Sequence, residues 1–276
     1  MLDARDLHFA YGEAPVLRGV SLHVPAGGLV AVLGPNGSGK TTLLRLLAGT
    51  IQPSTGSVTL DGRGLATLSR TTLARRMAVV PQETQLAFDY SVLEVVLMGR
   101  YPHLGAFEIE GPADIAIARE ALDATGTLPL QDRTFATLSG GEKQRVIIAG
   151  ALAQIAFSGS APREPTAHPI LLLDEPTAAL DLAYQLEVAA LLRDLQTRID
   201  MAIVVSTHDL NFAASVCRTI VLLKAGMVVA AGATDQVLTA DNIRTVYGVD
   251  ADVQRHAATG RLLVVPVAQC RPEARP

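Results

Sequence analysis

Gly34-Pro-Asn-Gly-Ser-Gly-Lys-Thr41 is the stretch that decides how this chain folds. An apolar run, Leu29–Leu33, leads into it, and a segment with helical spacing, residues 41–48, leads out. Strand, glycine loop and helix in that order form the setting in which such a loop cradles phosphate. Its glycines let the backbone curl so that successive N–H groups point inward at an anion, where a Cβ would hinder them. The helix that follows adds its positive N-terminal end. Gly34, Pro35, Asn36, Gly37, Ser38 and Gly39 are therefore expected to wrap the phosphates, with Thr42 beside them. Lys40 has the reach for the β- and γ-phosphates, and the Thr41 hydroxyl suits Mg²⁺. The sequence predicts a nucleoside triphosphate site.

Composition sets the bounds around that loop. The chain has 276 residues, 49% hydrophobic and 18% charged, enough apolar content for one large or two modest folded domains. A net charge of -4 supplies no basic field to gather DNA or RNA, so no nucleic-acid partner is expected. Cys217 and Cys270 have no metal-ligand spacing and read as ordinary reduced thiols. No apolar stretch reaches the roughly 18 residues of a membrane span. The opening Met1-Leu2-Asp3-Ala4-Arg5-Asp6 lacks the basic head of a signal peptide. The expectation is a soluble, cytoplasmic protein whose membrane role, if any, runs through a partner.

Residues 2–10, 17–24, 28–33, 56–60 and 77–80 read as strands, separated by turn residues such as Gly12, Pro15 and 25–28. Helical spacing dominates about 91–153, as in Ile115, Ala118, Ala121 and Leu122. Residues 156–169 form a long polar, proline-punctuated loop, read as a surface insertion. Ile170–Leu173 then reads as a strand buried on both faces, 181–198 as a helix, and 202–206 as the next buried strand. Two short strands flank Ala258-Thr259-Gly260 in the tail. Alternating strands and helices imply a doubly wound α/β core.

Asp174 and Glu175 follow the buried run directly. Ligands in open α/β sheets bind at the carboxyl ends of strands, which would turn both carboxylates toward the phosphate loop. Asp174 could then hold Mg²⁺ and Glu175 polarise an attacking water, or the pair could merely cap a helix. Leu138-Ser139-Gly140-Gly141-Glu142 precedes a helix beginning near Glu142. Ser139 could cap it, and the glycines expose N–H groups beside its positive end as a second anion site. Ser-Gly-Gly also commonly marks a plain turn before a helix.

Taken together these motifs resemble the ATP-binding cassette (ABC) ATPases over nearly the whole chain. Residues 34–41 are similar to the Walker A motif, 170–175 to Walker B and 138–142 to the family signature. The resemblance implies an α/β nucleotide-binding domain: a P-loop NTPase core with an antiparallel β subdomain and a helical subdomain. It would span 1–245, with the helical part inserted at about 88–155 and an extension at 246–276. By the same resemblance Gln82 matches the Q-loop glutamine that senses Mg²⁺ and the transport partner, and Ala178-Ala-Leu-Asp181 the D-loop. His208 matches the switch histidine, and Tyr11 the aromatic that stacks on adenine. The implied catalytic set is Glu175, His208, Gln82 and Lys40, and the Mg²⁺ set is Thr41, Gln82 and Asp174. Tyr11, the phosphate loop, Ser139, Gly140, Gly141 and Asp181 would bind ATP.

The family likeness also implies a homodimer, because Ser139 and Gly141 of one subunit would close over ATP held by the other. Val92-Leu-Glu-Val-Val-Leu-Met-Gly-Arg100-Tyr-Pro-His103 looks like ATPases that serve importers of iron-containing or cobalamin-type ligands. Phe135-Ala-Thr-Leu-Ser-Gly-Gly-Glu142, the 156–169 loop, Val246-Tyr-Gly-Val249 and Gly260-Arg-Leu-Leu-Val-Val-Pro266 resemble haem (hemin) importer ATPases in particular. Ferric-siderophore and cobalamin importers share much of this, and soluble ABC proteins without a permease form a third class. The haem reading implies a two-copy permease, docked around residues 82–110, and a periplasmic or extracellular haem-binding protein. It places the subunit on the cytoplasmic face of the inner membrane, touching the bilayer through the permease only. Gly150 and Thr207 depart from common family residues, and their effect is expected on packing rather than on hydrolysis.

Overall fold

Leu29–Leu33, Ile170–Leu173 and residues 202–205 are apolar at every position, although strand side chains alternate between faces. The computed structural model, which describes residues 1–84, 86–155, 168–178, 180–199 and 201–269, supplies the reason. Both faces of the sheet they form are covered, so no position can be polar. Val30, Val32, Leu172, Val204 and Leu223 enter one core; Ala31, Leu33, Leu171, Leu173, Ile203 and Leu222 enter the other.

In chain order the strands are β1 (Leu2–Tyr11), β2 (Ala14–Val24), β3 (Leu29–Leu33), β4 (Thr55–Leu60), β5 (Arg63–Gly64) and β6 (Met77–Val80). They continue as β7 (Ile170–Asp174), β8 (Ala202–Thr207), β9 (Thr219–Lys224), β10 (Met227–Ala233), β11 (Val249–Arg255) and β12 (Leu262–Gln269). The helices are α1 (Lys40–Leu47), α2 (Arg70–Arg76), α3 (Val92–Leu97), α4 (Pro112–Ala124) and α5 (Gly140–Ile155). After these come α6 (Leu182–Ile199), α7 (Leu210–Val216), α8 (Thr234–Val237) and α9 (Ala240–Tyr247).

The main sheet runs β10-β9-β3-β8-β7-β6, parallel except for the antiparallel edge strand β10. A second sheet, β2-β1-β4-β5, is antiparallel throughout. One core lies between the two sheets and takes Leu43, Leu44, Leu46 and Leu47 of α1. The other holds the helical part, including Val92, Val96, Ala118, Leu122, Ile148 and Leu152. The fold is thus the expected α/β arrangement with an antiparallel β part and a helical part. On α4 it is Ile117, 5% exposed, that enters the core beside Ala118 and Ala121, while Ile115 is only half-buried.

Several elements go beyond the sequence-based expectations, among them α2, α7, β9 and β10. α5 begins at Gly140, two residues before the expected start. The two tail strands pair around the expected turn, and α9 runs across residues 245 and 246. Residues 156–167, most of the predicted surface loop, and Cys270 lie outside the described residues, as does residue 179 of the Ala178–Asp181 motif. Cys217 is buried, and burial pushes its thiol up, which leaves it unreactive.

Gly99 and Gly150 mark a close backbone crossing in the helical part. A Cβ on Gly99 would lie 2.2 Å from the Gly150 carbonyl oxygen. Beside that crossing Arg100, 4% exposed, donates to Asp114 Oδ1 at 3.0 Å and to the Ala153 carbonyl at 2.7 Å. It ties the segment after α3 to α4 and α5 together. Burial alone would raise the Asp114 carboxyl, but the hydrogen bonds from Arg100 and the Gly111 N–H, with the Arg100 charge, outweigh it. They hold the group below the usual carboxylate range. Arg100→Leu should therefore lower stability at pH 7 by about 3 kcal/mol, because it strands a half-buried carboxylate. Asp114 stabilises the folded state above its unfolded pKa of about 4, and this is lost as pH falls through the lower folded value. Thermal midpoints of both proteins at pH 7 and pH 3 should show the gap narrowing in acid; an equal gap would contradict the pairing.

Candidate functional site

The phosphate loop sits where β3 ends at the centre of the main sheet. Gly37 and Gly39 take φ of 75° and 104°, the left-handed region open to glycine. Gly34 is fixed by contact instead: a Cβ there would lie 2.3 Å from the Leu223 carbonyl oxygen and 2.6 Å from Ser38 Oγ. α1 starts on Gly39 with no side-chain cap and no acidic residue in its first turn, so its positive end is left for an external anion. The buried Ser38 hydroxyl has no hydrogen-bond partner among the described residues. A tight backbone cradle, an uncapped helix start and an orphaned hydroxyl together fit a bound phosphate chain.

The turn joining β9 and β10 supports the loop from below. Ala225 and Gly226 have φ of 46° and 78°, the paired left-handed residues of a tight hairpin. The Gly226 N–H donates to the Ser38 carbonyl at 3.0 Å, and its own carbonyl accepts from Arg18 N–H at 2.9 Å. This support lay outside the sequence reading; an Ala-Gly pair between two apolar runs was the signal available.

Lys40 and Glu175 meet in the buried floor of the site. Lys40 Nζ donates to the Gly34 carbonyl at 2.9 Å and stands 3.1 Å from Glu175 Oε1. The other carboxylate oxygen, Oε2, is 2.8 Å from His208 Nδ1 and accepts from the His208 N–H at 3.3 Å. One carboxylate thus bridges a lysine and a histidine brought together from three distant parts of the chain. With Nδ1 engaged, Nε2 is the His208 nitrogen able to meet a ligand. Lys40 and Glu175 are 6% and 7% exposed, so neither charge is heavily screened by water.

Glu175 reaches this place at a conformational cost. β7 ends at Asp174, and Glu175 takes φ of 47°, unusual for a residue with a side chain. Ser206 at the end of β8 holds the kink: its carbonyl accepts from Glu175 N–H at 2.9 Å, and its hydroxyl donates to Asp174 Oδ1 at 2.5 Å. Ser206 is a further residue the sequence reading did not single out.

Tyr11, Asn36, Gly37, Ser38, Gly39, Lys40, Thr41, Thr42, Gln82, Glu175 and His208 line one cleft of about 410 Å³. Val16 joins them from β2 and was not anticipated. Tyr11 stands at the tip of the β1–β2 hairpin, 48% exposed, with Phe9 edge-on at 4.8 Å. Asp174 lies behind Glu175 and does not line the cleft. A neighbouring cleft of about 230 Å³ shares Gln82 and Glu175 and is walled by Gly140, Lys143 and Gln144 at the start of α5.

Ser139, Gly141 and Asp181 do not line the phosphate-loop cleft. Ser139 caps α5 as expected: its hydroxyl accepts from Glu142 N–H at 3.3 Å, and Glu142 Oε2 accepts from Ser139 N–H at 2.8 Å. Asp181 caps α6 by accepting from Tyr184 N–H at 3.1 Å. Tyr184 in turn covers Gly141 so closely that a Cβ there would lie 2.1 Å from its ring, and Ser139 Oγ donates to its hydroxyl at 3.3 Å. Gly141 therefore has a packing reason to be glycine, whatever else it does. Gly141→Ala should destabilise the fold by about 2 kcal/mol through overpacking, and adding Tyr184→Ala should recover most of that loss. Chemical denaturation of both single variants and the double variant measures the coupling; strictly additive losses would contradict the contact.

Comparison with known proteins agrees with this geometry. The family profile described as ABC transporter matches residues 17–178. The Hemin import ATP-binding protein HmuV of Bordetella pertussis is 45% identical over 265 residues, which is 96% of this chain and 98% of that protein. The Cobalamin import ATP-binding protein BtuD of Halobacterium salinarum is 40% identical over 96% of this chain and 63% of its own length. Among solved structures, the inward-facing conformation of a metal-chelate type ABC transporter superposes with a TM-score of 0.82 at 32% identity, covering 96% of each chain. With the phosphate cradle, the Lys40–Glu175–His208 contact and these likenesses in hand, the chain belongs to the ABC transporter family, as one of its ATP-hydrolysing cassettes.

Proposed function

We propose that this chain powers a haem importer as a homodimer seated on a two-copy permease, fed by a haem-binding protein on the far side of the membrane. The observation that carries the hydrolytic part is the Glu175 carboxylate bridging Lys40 and His208. The α1 N terminus and the 34–41 backbone bind the phosphates, and Lys40 turns to the β- and γ-oxygens. A triphosphate competes with Glu175 for the Lys40 ammonium, so substrate binding frees the carboxylate to take the proton of the attacking water. His208, still held through Nδ1, offers Nε2 to the γ-phosphate. Tyr11 stacks on the base. Thr41 and Gln82, which line the cleft, would hold Mg²⁺, with Asp174 behind Glu175 reaching it through water; the ion supplies charge to offset the phosphates when bound.

Dimerisation is supported by where Ser139 and Gly141 stand. Both lie outside the cleft of their own chain, so contact with a γ-phosphate requires the cleft of a second copy. Permease docking is supported by Phe88, Tyr101, Phe107 and Ile109, large apolar side chains exposed within the 82–110 stretch. Among the described residues no helix is long and apolar enough to cross a membrane, in keeping with a subunit that reaches the bilayer through its permease. Haem is favoured as the cargo by the near full-length likeness to a hemin import protein. A cobalamin importer is the second reading, supported by the Halobacterium salinarum relative; a ferric-siderophore importer stands beside it on the 92–103 segment.

Glu175→Gln should keep ATP binding and lower turnover by at least about a hundredfold, the scale of a lost general base. An unchanged ATPase rate in that variant removes the assignment of the base. For the cargo, ATPase activity of the permease complex in lipid should rise with haem and its binding protein and stay flat with cobalamin; the reverse response would replace haem by cobalamin.

A further inference from the structure

The C-terminal hairpin is bound to the loop that carries His208. β8 ends at Thr207, His208 follows, and Asp209 caps α7 by accepting from Phe212 N–H at 2.9 Å. Asn211, in the first turn of α7, does not line the nucleotide cleft and sets its side chain on β12. Its Nδ2 donates to the Val264 carbonyl at 3.1 Å, and its Oδ1 accepts from the Val264 N–H at 2.8 Å. One amide thus satisfies both backbone groups of one strand residue, as a neighbouring strand would. The match of donor to acceptor and acceptor to donor fixes the amide orientation.

The surroundings make this contact firm. Val264 is 3% exposed and shares a core with Phe212, Ala213 and Val216 of α7 and with Ile243 and Val246 of α9. Tyr247, at the end of α9, brings the tail to the same region from a second side. Its hydroxyl is buried without a partner among the described residues. Burial, and then the nearby charges of Glu175 and Asp209, push its phenol up. The hydrolytic mechanism uses neither Asn211 nor Tyr247.

We propose that Asn211 is a positioning residue that clamps the β11–β12 hairpin to the His208 loop, so that the C-terminal extension sets the aim of the His208 imidazole during hydrolysis. The inference rests on the role given to His208 above. A side chain fixed at one end by the Glu175 carboxylate needs its backbone fixed too, because a small shift of a short loop moves Nε2 off the line of a bound γ-phosphate. Asp209 fixes the start of α7, and Asn211 fixes α7 to a strand that is itself paired with β11.

Steady-state ATPase kinetics and ATP-analogue binding on the full chain test this, with wild type, Asn211→Leu, His208→Ala and the double variant compared. Asn211→Leu keeps the branching at Cγ and loses both hydrogen bonds. It should cut kcat about tenfold while leaving KM and analogue affinity within about twofold. In the His208→Ala background it should cause no further loss, which a general loosening of the fold would not reproduce. Asn211→Asp, of the same shape but lacking the donor, is measured in its place if Asn211→Leu does not fold, with the same split expected. Wild-type kcat in the Asn211 variant beside an inactive His208→Ala, or losses that simply multiply in the double variant, would overturn the clamp alone. Wild-type turnover in His208→Ala would instead remove the switch role itself, and the clamp with it.

Discussion

A single carboxylate, Glu175, holds this active site together. It is buried, and it stands 3.1 Å from Lys40 Nζ and 2.8 Å from His208 Nδ1, so one side chain links three distant parts of the chain in one cleft. Buried polar groups are costly unless partnered, and both oxygens of the Glu175 carboxylate have a partner, Lys40 on one and His208 on the other. The strained backbone at Glu175 and the Ser206 contacts that brace it belong to the same constraint. Without them the carboxylate would continue along β7 instead of turning toward the phosphate loop.

The sheet exists to deliver these groups to one edge. β3, β7 and β8 run parallel and side by side, so their carboxyl ends place the phosphate loop, Asp174–Glu175 and His208 within reach of one another. Both faces of the sheet are covered by packed side chains. The antiparallel sheet contributes Tyr11 and Val16 from a hairpin over the loop. The helical part contributes Gly140, Lys143 and Gln144 to the adjoining cleft, which Glu175 also lines.

Much of this was legible in the sequence, and the reasons are local. β3, β7 and β8 were readable because strands buried on both faces give unbroken apolar runs. The phosphate loop was readable because its glycines, lysine and threonine sit in fixed order between a strand and a helix. The tail strands announced themselves through the Thr-Gly turn. α2 and α7 were not legible because seven residues make fewer than two helical turns, too few for a repeating apolar pattern, and caps at Ser69 and Asp209 with tertiary packing define them. β10 is rich in small residues that suit strand or helix alike. At the site, motif order named Lys40, Glu175 and His208 but could not reveal that they touch, since contacts between distant segments leave no local pattern. The opposite holds for Ser139, Gly141 and Asp181, whose observed contacts are local caps and a packing contact with Tyr184.

The central claim is that Glu175 and a triphosphate compete for the Lys40 ammonium. Affinity for a non-hydrolysable ATP analogue, measured side by side for the wild type and Glu175→Gln, tests it without turnover to confuse the reading. The account predicts several-fold tighter binding by Glu175→Gln, because Lys40 no longer has to leave a carboxylate partner. Equal or weaker binding by that variant would contradict it.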